Sequence, residues 1–327
     1  MFDYKNAEKI LEAEDVVVKF NLRGKTLTAI RGISMELYKG ESLAIVGESG
    51  SGKSVFTKTF MGLLDQNGWV DSGSIIYSGG KYAGKGVDLV PMKTEKEWLN
   101  IRGKEIAYIP QGSGNGLNPL YTVGRQLCEA IRKHQPCTRR EALVQAAALL
   151  ESFGLEHGAA LCRSYPFQLS GGMRQRVLIA MGIAAGADLV LADEPTKGLD
   201  RRRIALVEDA FQRLGERTLL CVTHDLRFAH AISSRLVVMY ASQQIESGDS
   251  PSFFAEPLHP YSRAMLEALP ENGLRANMGF APPRQDVDAQ SVCHFYGRCP
   301  WRSERCRKAP PLMTVGKRKV RCWKYAD

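Results

Sequence analysis

Residues 47–54 read Gly-Glu-Ser-Gly-Ser-Gly-Lys-Ser, and every fixed position of the G-x-x-x-x-G-K-[ST] phosphate loop is filled. Gly47, Gly50 and Gly52 permit backbone dihedrals that a Cβ would forbid. The N–H groups of such a loop converge on phosphate oxygens, aided by the positive end of the helix that follows. In that arrangement Lys53 reaches the β- and γ-phosphates and the Ser54 hydroxyl ligates Mg²⁺.

Other residue groups, in chain order, could complete such a site. Gln111 stands just past an apolar run, where a Gln can touch Mg²⁺ or water and report on a neighbouring surface. Residues 169–175, Leu-Ser-Gly-Gly-Met-Arg-Gln, make a second Gly/Ser helix start able to hold phosphate. One nucleotide does not need two such sites, so the pair predicts association, each subunit closing the other's site. Asp193 and Glu194 close an apolar run. The first can hold Mg²⁺ through water, and the second can take a proton from an attacking water. Asp200 lies seven residues beyond Asp193, in reach of a dimer interface. His224 ends another apolar run and can contact a γ-phosphate or orient the water.

The cysteines form a different kind of cluster. Cys128, Cys137, Cys162 and Cys221 are scattered, as small hydrophobes are. Cys293, Cys299, Cys306 and Cys322 fall within the last 35 residues, spaced C-x5-C, C-x6-C and C-x15-C. The start of the chain shows no secretory pattern, so clustered thiols favour a metal over disulfides. The spacing lacks the paired C-x2-C knuckles that zinc ribbons prefer. Net charge is +9, and residues 291–327 carry ten Lys/Arg against two Asp/Glu. A basic tail suits nucleic acid or anionic lipid, or offsets the negative charge of a metal centre.

These groups need a scaffold to position them. Residues 42–46 read as a buried strand feeding the phosphate loop, with a helix from 55 to 61. Strand-like runs at 15–20 and 26–37 predict an antiparallel β patch beside the nucleotide. Phe20 on that patch is placed either to stack an adenine or to sit in the core. Residues 71–88 read as short strands and loops, and 106–109 as a strand ending at Pro110-Gln111, with a Gly-rich loop at 112–116. Helical patterns follow at 124–134 and 138–153, the second opened by a Thr138/Glu141 capping box and stopped at Gly154. Apolar strands return at 189–192, 219–223 and 236–240, separated by helical stretches such as 204–214, which indicates an α/β sheet. Residues 250–283 read as a Pro-rich connector with one helix at 262–269. The longest uncharged apolar run, 177–187, is far short of the roughly 18 residues a membrane span needs.

Taken together the motifs resemble the ATP-binding subunits of ABC transporters, over about residues 11–250. By that resemblance residues 47–54 are Walker A, Gln111 the Q-loop, 169–175 the signature, and 189–193 Walker B. Glu194 is then the catalytic Glu, Asp200 the D-loop Asp and His224 the switch His. The tail resembles the extension of the oligopeptide/dipeptide/nickel importer ATPases, through Pro257-Leu258-His259-Pro260-Tyr261 and the Cys-rich end. Leu117-Asn118-Pro119 and Tyr165-Pro166-Phe167-Gln168 resemble the same branch, in its dipeptide-type longer subunit. Three places depart from the family's usual pattern: Pro110-Gln111-Gly112-Ser113 at the Q-loop, Lys197-Gly198 before Leu199-Asp200, and Ser242 where a turn Gly is common.

The resemblance implies an α/β P-loop NTPase of ABC type with an antiparallel β patch, an inserted helical subdomain and a C-terminal Cys-rich extension. The expected boundaries are 1–250 for the ATPase domain, with the helical subdomain at about 112–170, and 251–327 for the extension. It implies ATP and Mg²⁺ as ligands, with Phe20, Gly47, Ser49, Gly50, Gly52, Lys53, Ser54, Gln111 and Asp193 around them. Glu194, His224 and Gln111 serve catalysis, and Ser170, Gly171, Gly172, Gln175 and Asp200 face a partner. Cys293, Cys299, Cys306 and Cys322 would hold a 4Fe–4S cluster, with structural zinc and free thiols as alternatives. The implied partners are a second ATPase subunit of a different chain, two transmembrane permeases and an extracytoplasmic substrate-binding protein, with no nucleic acid. The chain would sit peripherally on the cytoplasmic face of the membrane and energise import of peptides, nickel or a metal–chelator complex. A soluble ABC ATPase not coupled to transport, for instance one associated with nucleic acid, is the alternative class.

Overall fold

The computed structural model describes Tyr4 and residues 6–112, 116–273 and 292–326. Part of the expected Gly-rich loop (113–115) and the end of the Pro-rich connector (274–283) lie outside the described residues. The chain opens with two long strands, β1 (Lys9–Leu22) and β2 (Lys25–Tyr38), paired antiparallel around a tight turn. β3 (Ser42–Gly47) follows and leads into the helix Lys53–Thr59. β4 (Gly68–Tyr77) and the two-residue β5 (Val87–Asp88) extend the first sheet in the order β2-β1-β4-β5. Residues 68–77 thus form one ten-residue strand rather than the short strands and loops expected. Pairing along β1 holds this segment extended despite its Gly and Ser content.

The second sheet is built from β6 (Ile106–Ile109), β7 (Leu189–Asp193), β8 (Thr218–Thr223), β9 (Arg235–Tyr240) and β10 (Gln243–Asp249), with β3 at its centre. β3 runs parallel to β8 and β9, and β7 parallel to β6 and β8. Being covered on both faces, these strands are near-continuous apolar runs, which is why they were readable. The hairpin β11 (Met313–Val315) and β12 (Arg318–Val320) adds to the far edge, β12 pairing antiparallel with β10. The tail therefore continues the sheet that carries the phosphate loop.

Helices Val123–His134, Arg139–Ser152, Gly158–Leu161 and Gly171–Ile183 lie between β6 and β7 in the chain. Thr138 and Glu141 form the expected reciprocal capping box, and Gly154 takes a φ of 68° just past the helix end. One hydrophobic cluster fills the space between the two sheets, with Val18, Ile30, Leu43, Phe56, Leu220 and Met239 buried in it. A second binds the helical insertion to the opposite face of the core sheet. The connector carries two helices, Ser250–Ala255 and Pro260–Glu267, where one was expected at 262–269. Asp249 and His259 cap their N-termini and a Pro occupies the first turn of each, as the missing proline N–H has no partner there to lose.

Candidate nucleotide site

β3 is held between two parallel neighbours and delivers Gly47 at the carboxyl end of the sheet, where open α/β folds bind ligands. A Cβ at Gly47 would lie 2.1 Å from the Met239 carbonyl oxygen, so only glycine lets the loop leave the strand here. At Gly52, φ is 99° and a Cβ would meet the Ala29 carbonyl and Ile30 at 2.7 Å. The antiparallel sheet thus braces the loop from the side. Lys53 is only 5% exposed. Its Nζ donates to the carbonyls of Gly47 at 2.8 Å and Glu48 at 3.0 Å, wrapping the loop around the ammonium. Burial lowers the Lys53 pKa, an effect opposed by the negative charge of Glu194 and Asp193.

β7 ends beside the loop. The Ser54 hydroxyl donates to Asp193 Oδ1 at 2.7 Å, and the Tyr108 hydroxyl donates to Asp193 Oδ2 at 3.2 Å. Burial and the neighbouring carboxylate push the Tyr108 pKa up, so the phenol keeps its proton to donate. Nothing in the local sequence singles Tyr108 out; it becomes visible only when β6 is laid beside β7. Glu194, 8% exposed, has a φ of 48°, a costly conformation for a residue with a side chain. Its Oε1 lies 3.8 Å from Lys53 Nζ, and its Oε2 lies 2.6 Å from His224 Nδ1. Five residues from three distant stretches of the chain (Lys53 and Ser54, Asp193 and Glu194, and His224) therefore meet around one point. Gln111 leaves the sheet exposed just past β6, whose last residue pairs with Ala192, next to Asp193. Phe20 is half-buried, and its ring lies over Gly68 on the antiparallel sheet.

The second Gly/Ser run stands apart. Ser170 caps helix Gly171–Ile183, its Oγ accepting from the Met173 N–H at 3.2 Å. Gln175 is fully buried, and among the described residues neither atom of its amide has a hydrogen-bond partner. Asp200 caps helix Arg201–Gln212 and pairs with Arg203, whose side chain borders Gly171 and Gly172. A cavity of about 600 Å³ beside the phosphate loop is lined by Gly47, Glu48, Ser49, Glu194, Lys197 and His224, but not by Ser170. Its far wall is a surprise from the tail: Tyr261, Met265, Leu269 and Arg298. No pattern linking residues 261–298 to the loop exists in the sequence, since more than 200 positions separate them.

The tail cysteines expected to hold a metal are brought to one place. Cys293, Cys299, Cys306 and Cys322 do line one cavity, of about 330 Å³. Yet among the described residues no group of three or more His, Cys, Asp or Glu side chains is arranged to hold a metal ion. Cys293 and Cys299 pack instead against the apolar cluster that contains Tyr240, Tyr261 and Phe295. Burial pushes the Cys293 thiol up to about 11 and raises Cys299 and Cys322 as well. Of the scattered cysteines, Cys128, Cys162 and Cys221 are buried and Cys137 is half-buried.

A strand-fed phosphate loop, an acidic strand end and a helical insertion between β6 and β7 define an ATP-binding cassette. Solved cassettes have the same fold. A dimeric post-hydrolysis form of the cassette MJ0796, bound to ADP and Pi, gives a TM-score of 0.61 at 23% identity, covering 74% of this chain and 99% of that one. Clostridium perfringens cbiO1, part of the transporter complex cbiONQ, gives 0.63 at 24% identity, covering 81% and 97%. The ABC transporter profile matches residues 30–197, and the chain belongs to that family of ATPases. A second profile, the C-terminal region of oligopeptide/dipeptide transporters, matches residues 245–306. Among sequence relatives, the oligopeptide transport ATP-binding protein AmiE of Streptococcus pneumoniae is 43% identical over 82% of this chain and 74% of its own length. The dipeptide transport ATP-binding protein DppD of Bacillus subtilis is 36% identical over 97% and 95%. No helix among the described residues is long and apolar enough to cross a membrane.

Proposed function

We propose that this chain hydrolyses ATP on the cytoplasmic face of the membrane, as a peripheral subunit, to drive import of dipeptides or oligopeptides. The observation that carries the reading is the convergence of Lys53, Ser54, Asp193, Glu194 and His224 at the end of β3. The peptide names of the relatives support the substrate class; no observation favours nickel or a metal chelate. Permeases and a substrate-binding protein are the partners such a transporter requires. The second ATPase subunit is a different chain in this reading.

The residues divide the work. Lys53 is held by its own loop until a phosphate replaces those carbonyls. Ser54 Oγ and Asp193 Oδ1, 2.7 Å apart, are the hard oxygen donors that suit Mg²⁺, which would neutralise phosphate charge. Glu194 accepts the proton of the attacking water, and His224, hydrogen-bonded to it, fixes the carboxylate's direction. Ser170, Gly171 and Gly172 close the nucleotide site of a partner. Glu194→Gln is expected to abolish steady-state turnover, by on the order of 10²-fold or more, while sparing ATP binding. Undiminished turnover would refute its role as base.

In the tail the finer reading is a 4Fe–4S cluster rather than one zinc ion. Four thiols lining one cavity of about 330 Å³, at spacings without the paired knuckles of a zinc ribbon, are what supports that reading. Arg305 and Lys324 line the same cavity and would offset its negative charge. Bound there, a cluster would crosslink Cys322 to the 293–306 segment. Anaerobically purified protein is then expected to contain iron and acid-labile sulfide; zinc alone, or neither metal, counts against the reading.

A further inference from the structure

The phosphate loop has a contact that none of its own motifs accounts for. Glu48, its second residue, is held twice by the C-terminal extension. The Glu48 N–H donates to the hydroxyl of Tyr261 at 2.9 Å. Arg298 Nη1 lies 3.0 and 3.2 Å from the two carboxylate oxygens of Glu48. Tyr261 belongs to helix Pro260–Glu267 and is buried, and the Arg298 side chain is 11% exposed, so neither is a passing surface contact.

Behind these contacts is a rigid support. Arg298 also donates to the Tyr240 hydroxyl at 3.4 Å, at the end of β9 beside β3. Phe295, buried, packs its ring 5.4 Å from Tyr240 and 5.7 Å from Tyr261. Phe295 also lines the cysteine cavity, and Arg298 immediately precedes Cys299. The short segment between Cys293 and Cys299 therefore touches the thiol cavity on one side and the phosphate loop on the other.

We infer that Arg298 is a positioning residue for the phosphate loop, acting through Glu48, so that ATP affinity depends on the C-terminal extension being seated. The physical reason is preorganisation. The loop binds phosphate through backbone N–H groups, and these converge only if the backbone between Gly47 and Gly52 is held. Lys53 holds the loop from inside; Arg298 and Tyr261 hold it from outside. Coupling is reciprocal, so bound nucleotide also tightens the seating of the extension. The inference rests on the reading of residues 47–54 as the phosphate site.

The test is ATP binding to the full chain, using MgATP and a fluorescent ATP analogue, together with the kcat and KM of ATPase activity. Glu48 is 38% exposed, so the ion pair is partly screened and the expected loss is modest. Arg298→Ala and Glu48→Gln should each weaken binding about fivefold. The double variant should be no worse than the weaker single one, because the two side chains act as one unit. Arg298→Lys should recover part of the loss. KM should rise with kcat retained, a split that general destabilisation would not produce. Unchanged affinity in both single variants, or losses that multiply in the double, would overturn the inference. If Arg298→Ala does not fold, Glu48→Gln and Arg298→Lys carry the test. Lys53→Ala separates the two levels: if it retains full ATP affinity, the phosphate-site reading itself fails, whatever Arg298 does.

Discussion

Helix Lys53–Thr59 and helix Gly171–Ile183 both start from a run of Gly and Ser, and their surroundings differ in kind. At the first, the side chains that converge on the loop find partners within the chain. Lys53 binds its own loop, Ser54 binds Asp193, and Glu194 binds His224. At the second, Ser170 is engaged only in capping, and the buried Gln175 amide has no partner among the described residues. A buried amide without hydrogen bonds costs on the order of 1–3 kcal/mol. The difference fits the proposal that one helix start is the complete half of a site and the other completes the site of a second molecule.

That contrast is broken most directly at Lys53. Lys53→Ala removes a buried cation that lies 3.8 Å from Glu194. Its ATP affinity is expected to fall on the order of 100-fold, the scale of losing a preorganised donor to phosphate. Equilibrium binding on the isolated chain measures it. Ser170→Ala should leave that affinity within error and instead lower turnover of the assembled transporter. Equal losses of affinity in both variants would mean that the two helix starts serve one site in the same chain.

The sequence carried the first half more legibly than the second for a physical reason. The phosphate loop needs fixed residue types at fixed offsets, because backbone curvature and one ammonium do the work within eight residues. The strands around it are buried on both faces and so appear as uninterrupted apolar runs such as 189–192. Pairing is less local. β4 was obscured by its Gly and Ser content, and β10, β11 and β12 by short mixed sequences that depend on edge pairing. Tyr108, Tyr261 and Arg298 reach the site through the fold alone. So do the four tail cysteines reach one cavity, though their spacing said nothing of the gaps between them.

The rigidity of the first half can be tested from below. Glu41, fully buried just before β3, accepts from the Tyr38 N–H and from Arg235 Nη2, each at 3.0 Å. Arg235→Ala leaves that carboxylate buried without its cation, which should cost about 3 kcal/mol of stability. The pH dependence has a defined sign. Burial raises the Glu41 pKa, with Arg235 opposing the rise, so folding favours the protonated form. Stability from this group is complete in acid and is lost as pH rises through its folded pKa. Without Arg235 the rise is larger, so the variant's deficit should widen from acid towards neutral pH. Urea midpoints across that range read it out. A deficit that shrinks with rising pH would show that Glu41 is not the group left behind.

The smallest effect probes the second half, where the helical insertion carries the signature. Thr138 Oγ1 accepts from the Glu141 N–H at 3.2 Å, and Glu141 Oε2 accepts from the Thr138 N–H at 2.7 Å. Thr138→Ala breaks the box and should cost about 1 kcal/mol. Because helix Arg139–Ser152 packs within the insertion, the loss should appear as local opening rather than global unfolding. Amide exchange should quicken about fivefold along that helix while β3 and β8 keep their protection. Equal acceleration in both would mean that the insertion and the core sheet open as one unit, and the signature would then move only when the phosphate loop does.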